Sequence, residues 1–82
     1  MYVYIDVVKG EDYAIIYLFD DEVAYIKCED SGDVTIEDYA HNDKFVMKNG
    51  DFETCVSIAT NAYKDYYKAF GLDVEVAQTK PM

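Results

Sequence analysis

A single stretch of this 82-residue chain has helical periodicity, and this feature restricts the fold more than any other. From Phe52 to Phe70, apolar residues recur at steps of three and four, which predicts an amphipathic helix of about 19 residues. Asp51 precedes the stretch as a candidate N-cap, and Gly71 follows it as a candidate C-terminal glycine. One helix must bury its apolar face against another layer, and the rest of the chain has the pattern of strands.

The segments around the helix alternate between apolar and polar residues, as half-buried strands do. The predicted strands are residues 2–8, 13–19, 23–28 and 72–77, with shorter candidates at 34–37 and 44–48. The segment 13–19 is nearly all apolar, which predicts a strand covered on both faces. The expected fold is a single α+β domain over residues 1–82, in which an antiparallel sheet of roughly four to five strands carries the helix on one face. Its expected element order is β-β-β-(β)-(β)-α-β.

The chain is strongly acidic: 17 carboxylates face 7 lysines and no arginine, and the formal net charge is −10. Self-repulsion of this size works against a compact fold, so the acidity calls for a reason. Proteins that grip nucleic acid use arginine and basic surfaces, so direct binding to DNA or RNA is disfavoured. No signal peptide or membrane-spanning segment is expected, and Cys28 and Cys55 are expected to be free thiols. These features favour a cytoplasmic protein.

No residue pattern typical of an enzyme is found in the sequence. The single histidine, His41, lies in a polar stretch, and one histidine with two cysteines does not match the spacing of a zinc site. No glycine-rich phosphate loop follows a strand. The acidic segment 29–33 lacks the order of ligands of a calcium-binding EF-hand. We therefore expect a protein that is not an enzyme and that uses no cofactor or metal.

Residues 20–38 combine apolar positions with eight carboxylates and one lysine. Carboxylates two residues apart on a strand are separated by ~6.6 Å, and DNA has one phosphate per ~3.4 Å of axis on each strand. Carboxylates fixed on a rigid sheet can therefore approximate a row of phosphates. We expect a partner protein to bind these eight residues and two acids on the last strand: Asp20, Asp21, Glu22, Glu29, Asp30, Asp33, Glu37, Asp38, Asp73 and Glu75.

Besides the carboxylates, the nine tyrosines of the chain are candidates for partner binding. Tyr2 and Tyr4 are expected to share a strand face with Asp6, and Tyr66 and Tyr67 lie near the end of the predicted helix. Tyrosine provides large contact area in protein interfaces, so these four are secondary partner-binding candidates. The alternative is that they cap a small core with their hydroxyls in water. An edge strand that carries Tyr2 and Tyr4 could also form a homodimer across a two-fold axis.

Through residues 20–38, Asp73 and Glu75, the chain resembles small acidic inhibitors that phages and mobile elements make against bacterial defence. Anti-CRISPR proteins, anti-restriction proteins and inhibitors of uracil-DNA glycosylase belong to this type. The resemblance lies in size, acidity and the missing catalytic motif, and no residue role is carried over because these inhibitors share no common fold. It implies a nucleic-acid mimic that occupies the DNA- or RNA-binding site of a defence nuclease, such as a CRISPR effector or a restriction enzyme, in the cytoplasm of an infected bacterium.

Three alternatives stay open. The first is an interaction module that is not a mimic, either antitoxin-like or a regulatory subunit, which docks through a tyrosine-rich surface. In support, the order of three strands, a helix and a strand is similar to the N-terminal part of some antitoxins with a partial RNase H-like fold. The second is an enzyme or metal-dependent protein. The third is a generic acidic domain without a specific partner.

Overall fold

The computed structural model describes residues 2–81 and confirms an α+β fold with one helix packed on one face of a sheet. The strands are β1 (Tyr2–Lys9), β2 (Tyr13–Leu18), β3 (Asp21–Cys28), β4 (Val34–Asp38), β5 (Asp43–Met47) and β6 (Asp73–Thr79), and the helix α1 spans Phe52–Lys68. The sheet has six strands rather than the expected four to five, because both short candidates, β4 and β5, join it.

The strand order is β5-β4-β3-β2-β1-β6, and the sheet is mixed rather than purely antiparallel. Strands β1 to β5 pair in succession as an antiparallel meander, whereas β6 pairs with β1 in parallel. Since α1 returns the chain along the length of the sheet, β6 starts at the end where β1 starts, so the two must run in the same direction. Tyr2 and Tyr4 therefore lie on an interior strand, and the expected edge strand carrying them is wrong.

The core lies between α1 and the sheet face that it covers. Alternate residues of the first four strands supply the sheet side, and three residues of α1 close it from above. The buried apolar residues are Val3, Ile5, Val7, Ala14, Ile16, Ala24, Ile26 and Val34 of the sheet, and Cys55, Val56 and Tyr63 of α1. Burial of small β-branched side chains at every second position gives this modest domain its hydrophobic stabilisation.

Both ends of α1 follow the expected chemistry. Asp51 is the N-cap: its carboxylate accepts hydrogen bonds from the backbone N–H of Thr54 at 3.0 Å and from its hydroxyl at 2.6 Å. These bonds lower the pKa of the Asp51 carboxyl. At the other end the C-cap is Ala69, and Gly71 adopts a φ of +78°, which favours glycine. The helix is therefore 17 residues long, slightly shorter than predicted.

The buried face of α1 is rotated from the face that the periodicity predicts. Thr60 is buried, and its hydroxyl donates to the Val56 carbonyl at 2.8 Å. Tyr67 packs against the core. In contrast, Ala62 and Tyr66 are exposed, although the pattern places them inside. Part of the apolar stripe of α1 therefore stays uncovered.

Cys28 and Cys55 are free thiols, as expected. Burial raises the pKa of the Cys55 thiol. Within residues 2–81, no helix has the length and apolar character needed to cross a membrane.

Candidate partner-binding surface

The second face of the sheet, opposite α1, is covered by no other element within residues 2–81. The strand register determines which side chains share this face, because paired residues on neighbouring strands point to the same side. We call it the helix-free face. It consists of Tyr2, Tyr4, Asp6, Val8, Tyr13, Ile15, Tyr17, Glu22, Tyr25, Lys27, Thr35, Glu37, Lys44, Val46, Asp73, Glu75, Ala77 and Thr79.

Five of the nine tyrosines lie on the helix-free face. Tyr2 and Tyr4 on β1 are about half exposed, at 54% and 45%. Tyr13 and Tyr25 stack across β2 and β3 with ring centroids 6.4 Å apart and nearly parallel planes. Tyr17 pairs with Asp6 on one side and with Glu22 on the other. The tyrosine rings thus form a broad surface between carboxylates.

The expectation that segment 13–19 is covered on both faces is wrong. Tyr13, Ile15 and Tyr17 are half-buried by their neighbours in the sheet and not by a second layer. Large flat side chains on adjacent strands shield one another, so a nearly apolar strand can tolerate an uncovered face.

Carboxylates outnumber cations on the helix-free face. The face has two cations, Lys27 and Lys44. It has five carboxylates, which belong to Asp6, Glu22, Glu37, Asp73 and Glu75. The Lys44 Nζ lies 3.9 Å from Glu37 Oε1, a solvent-exposed pair of low strength. The Tyr2 hydroxyl donates to Glu75 Oε2 at 2.7 Å, and this bond is the main cause of a raised pKa of Tyr2. This face is therefore both aromatic and net negative.

The ten acidic residues predicted to bind a partner fall into two groups at opposite ends of the sheet. Asp20 and Asp21 lie at the turn between β2 and β3, at the sheet end where β6 begins with Asp73. Glu29, Asp30 and Asp33 lie at or beside the turn between β3 and β4, at the opposite end, as the sequence predicts. The helix-free face holds four of the ten, and they are Glu22, Glu37, Asp73 and Glu75.

Besides Glu75, which accepts the Tyr2 hydroxyl, two of the ten carboxylates accept hydrogen bonds within the protein. Asp33 accepts the backbone N–H of Asn49 at 3.0 Å. Asp38 points to the helix side, where it accepts the Tyr63 hydroxyl at 2.6 Å and contacts His41 Nδ1 at 2.8 Å. Partial burial acts to raise the pKa of Asp38, but the bonds from Tyr63 and His41 prevail and hold this pKa below its ordinary value. These two side chains connect structural elements.

Tyr66 and Tyr67 lie on α1, on the other side of the sheet from Tyr2 and Tyr4. The four tyrosines predicted as secondary binding residues therefore do not form one surface. Sequence reasoning missed Tyr13 and Tyr17 as surface candidates, because the apolar Ile15 between them hides the alternation of β2, and it also missed Tyr25 on β3.

A groove runs between α1 and β5 on the helix side of the sheet, and we call it the β5 groove. It encloses about 310 Å³ and is almost entirely apolar. Its floor is formed by Ile36, Phe45 and Met47, and its helix wall by Ile58, Ala62 and Tyr66. Asp38, His41 and Tyr63 also line it. The exposed apolar residues of α1 therefore line this groove.

Among residues 2–81 no cluster of three or more histidine, cysteine, aspartate or glutamate side chains has the arrangement of a metal site. Comparison with protein-family models, with curated proteins and with solved structures finds no match for the chain. The strand register and the lining of the groove define two candidate surfaces, the helix-free face and the β5 groove.

Proposed function

We propose that the protein is a small inhibitor that binds a basic nucleic-acid-binding protein, and that it occupies the DNA- or RNA-binding site of a bacterial defence nuclease. The helix-free face is the contact surface in this proposal. The observation that supports it is the combination, on one uncovered sheet face, of five carboxylates with five tyrosines and two lysines.

The charge distribution favours a basic partner. Asp73 and Glu75 are two residues apart on β6, which separates their side chains by ~6.6 Å, close to two phosphate steps of ~3.4 Å. Asp20 and Asp21 extend the acidic surface beyond the same end of the sheet. The molecule measures 41 Å in its longest dimension, about the axial length of twelve phosphates along one DNA strand.

Rigidity is the second requirement of a mimic, because mobile carboxylates lose entropy when a partner orders them. The Tyr2 hydroxyl bonds Glu75, and the Thr79 hydroxyl contacts Asp6 at 3.4 Å, so neighbouring strands restrain these acids. Binding to a basic channel releases counterions held near these acids, much as binding of a basic protein releases the counterions of DNA. Long-range attraction also speeds association.

The tyrosines would supply the contact that DNA phosphates lack. Tyr4, Tyr17 and Tyr25 lie between the acidic positions and offer flat apolar area with a polar edge. Interfaces are enriched in tyrosine because its few rotatable bonds make ordering inexpensive. In this proposal the carboxylates steer the protein to a basic site, and the tyrosines hold it there.

The test uses purified CRISPR effectors and restriction endonucleases in DNA-cleavage assays, with duplex DNA as the competitor. The double variant Asp73→Lys with Glu75→Lys should raise the inhibitory concentration by about tenfold or more, since it reverses charge on the proposed contact. The matched control is Glu11→Lys with Asp12→Lys, which changes the net charge equally at the turn between β1 and β2. The control should retain inhibition.

Circular dichroism and thermal unfolding of both double variants show whether each is folded. The proposal is wrong if both folded variants inhibit as the wild type does, or if DNA fails to compete with the protein for any nuclease that it binds.

A second candidate function, an interaction module that is not a mimic, is favoured by the stacked Tyr13–Tyr25 pair and by the half-exposed Tyr2 and Tyr4 on the same face. In this case Tyr4→Ala and Tyr17→Ala should weaken partner binding more than the acidic double variant does. Binding should also be nearly insensitive to salt, because screening affects exposed charges and not apolar contact.

A further inference from the structure

The two edge strands of the sheet differ in how they are protected. The β6 edge carries Asp73 and Glu75, and charged side chains of this kind discourage pairing with another chain. All five residues of β5 are exposed, and three consecutive ones, Phe45, Val46 and Met47, are apolar and 44–52% exposed. Within residues 2–81, β5 pairs only with β4, so the β5 edge is an open template for a further strand.

The surroundings of β5 are less acidic than the rest of the protein. The segment 43–48 holds two lysines and one aspartate in a chain of net charge −10. Next to it, Lys44 lies 3.9 Å from Glu37, and Lys48 lies 3.8 Å from Asp33. Lysines therefore partly neutralise the carboxylates at this edge. Contact between two copies at a more acidic part of the surface would bring like charges together.

We infer that the β5 edge binds the β5 strand of a second copy of this chain, in antiparallel orientation across a two-fold axis. The occupant is a second copy because the surface is self-complementary: an apolar strand meets the same strand where acidic repulsion is weakest. The β5 grooves of the two copies then meet, and the exposed Phe45 of each copy is buried beside Ile58 and Tyr66 at the groove mouth.

The charge pattern selects one register. A two-fold axis perpendicular to the sheet keeps both helices on one side, so paired residues must come from the same face. Centring on Val46 would place Lys44 opposite Lys48, and like charges directly opposite each other are destabilising. Centring on Phe45 places the two Phe45 rings opposite each other and Lys44 opposite Val46. We assign the second register.

The dimer would be one continuous sheet made of two six-stranded halves, with the two helix-free faces on the same side. Two copies of the tyrosine and carboxylate surface would then face one direction. This inference rests on the β5 edge and does not depend on the proposed function.

The first test measures the mass of the full chain in solution by sedimentation equilibrium, from micromolar to millimolar concentration. A dimer is expected, and added salt should strengthen it because it screens the repulsion between two acidic copies. Phe45→Glu should raise the dimer dissociation constant by about tenfold or more, as the loss of a central aromatic contact does. Val76→Glu, an exposed apolar position on the opposite edge, is the matched control and should leave the constant unchanged.

The second test determines the register by oxidation of cysteine variants. At a protein concentration at which both variants are dimeric, Phe45→Cys should form an intermolecular disulfide faster than Lys44→Cys, since opposed residues have Cβ atoms about 4.5–5.5 Å apart. The wild type, which has Cys28 and Cys55, measures the background. A monomer at all concentrations, equal effects of Phe45→Glu and Val76→Glu, or no preference for Phe45→Cys would overturn the inference. A partner strand of a different protein on a monomer would overturn it as well.

Discussion

The two faces of the sheet share the same strands but have opposite surroundings. On the helix-covered face, Ile5, Ile16 and Ile26 are fully buried beneath α1. On the helix-free face, the same strands present Tyr4, Tyr17 and other side chains that shield one another only in part. Adjacent residues such as Ile15 and Ile16 are therefore buried to different extents, although both are isoleucine.

This difference separates stability from recognition within one sheet. The residues buried beneath α1 lose nearly all contact with water, so each of their methylene groups contributes fully to folding. The helix-free face keeps contact with water, so its carboxylates remain hydrated and its tyrosines remain available to a partner. Four predictions test this division, from the largest expected effect to the smallest.

The largest effect is expected from the two neighbouring isoleucines of β2. Ile16→Ala should lower the free energy of unfolding by about 2–5 kcal/mol, because it leaves a cavity under α1. Ile15→Ala should cost less than about 1.5 kcal/mol, because water can fill the space on the helix-free face. Urea unfolding measures the free energy of unfolding of both variants. Equal decreases in this free energy would contradict the difference between the two faces.

The next effect concerns two tyrosine hydroxyls. Tyr63→Phe removes the donor to Asp38 at 2.6 Å, so the free energy of unfolding should fall by about 1–3 kcal/mol. Tyr25→Phe, on the helix-free face, should stay within about 0.5 kcal/mol of the wild type. Thermal unfolding at neutral pH compares them. A larger loss for Tyr25→Phe would show that its hydroxyl has a structural role.

A smaller effect is expected from the pH dependence of Asp38. Its folded pKa is lowered, so it contributes stability that is present above the ordinary carboxyl value of about 3.9 and is lost as pH falls through the folded pKa. Asp38→Asn should therefore be less stable than the wild type at neutral pH and should lose less stability on acidification. Asp30→Asn, at an exposed turn, serves as the control. Parallel acid-unfolding curves for Asp38→Asn and the wild type would contradict this prediction.

The smallest effect concerns Glu22, an exposed acid of the helix-free face. Glu22 lies near Tyr39, whose pKa is raised by partial desolvation and by the Glu37 and Glu22 carboxylates. Glu22→Gln should raise the free energy of unfolding by a few tenths of a kcal/mol, roughly the range of surface charge changes, because it relieves repulsion. The gain should disappear at high salt, and guanidine-free thermal unfolding at two ionic strengths measures it. Destabilisation at low salt would mean that Glu22 has a stabilising contact.

Local patterns predicted most of the elements. The switch from two-residue to three- and four-residue periodicity located α1, and Asp51 marked its start because a carboxylate there satisfies free backbone N–H groups. Gly32 adopts a positive φ at the turn after β3, a backbone conformation that favours glycine. The sequence left open whether the short segments β4 and β5 join the sheet. For β5 the reason is that it is exposed on both faces, so its sequence lacks the alternation that burial imposes.

The candidate surfaces were predicted only in part. Asp73 and Glu75 share a face, as alternation requires, but their position beside Tyr2 and Tyr4 depends on the parallel pairing of β6 with β1. The bond between Asp38 and Tyr63 joins residues that are 25 positions apart, and no local pattern indicates it.

The sequence by itself determined the periodicity of each segment, the caps of α1 and the acidity, because these depend on neighbouring residues and on composition. The tertiary structure decided which face of each strand is covered, which strands form the edges, and which carboxylates are bonded. One helix can cover only one face of six strands, and that limit leaves the tyrosines and carboxylates of the helix-free face together in water.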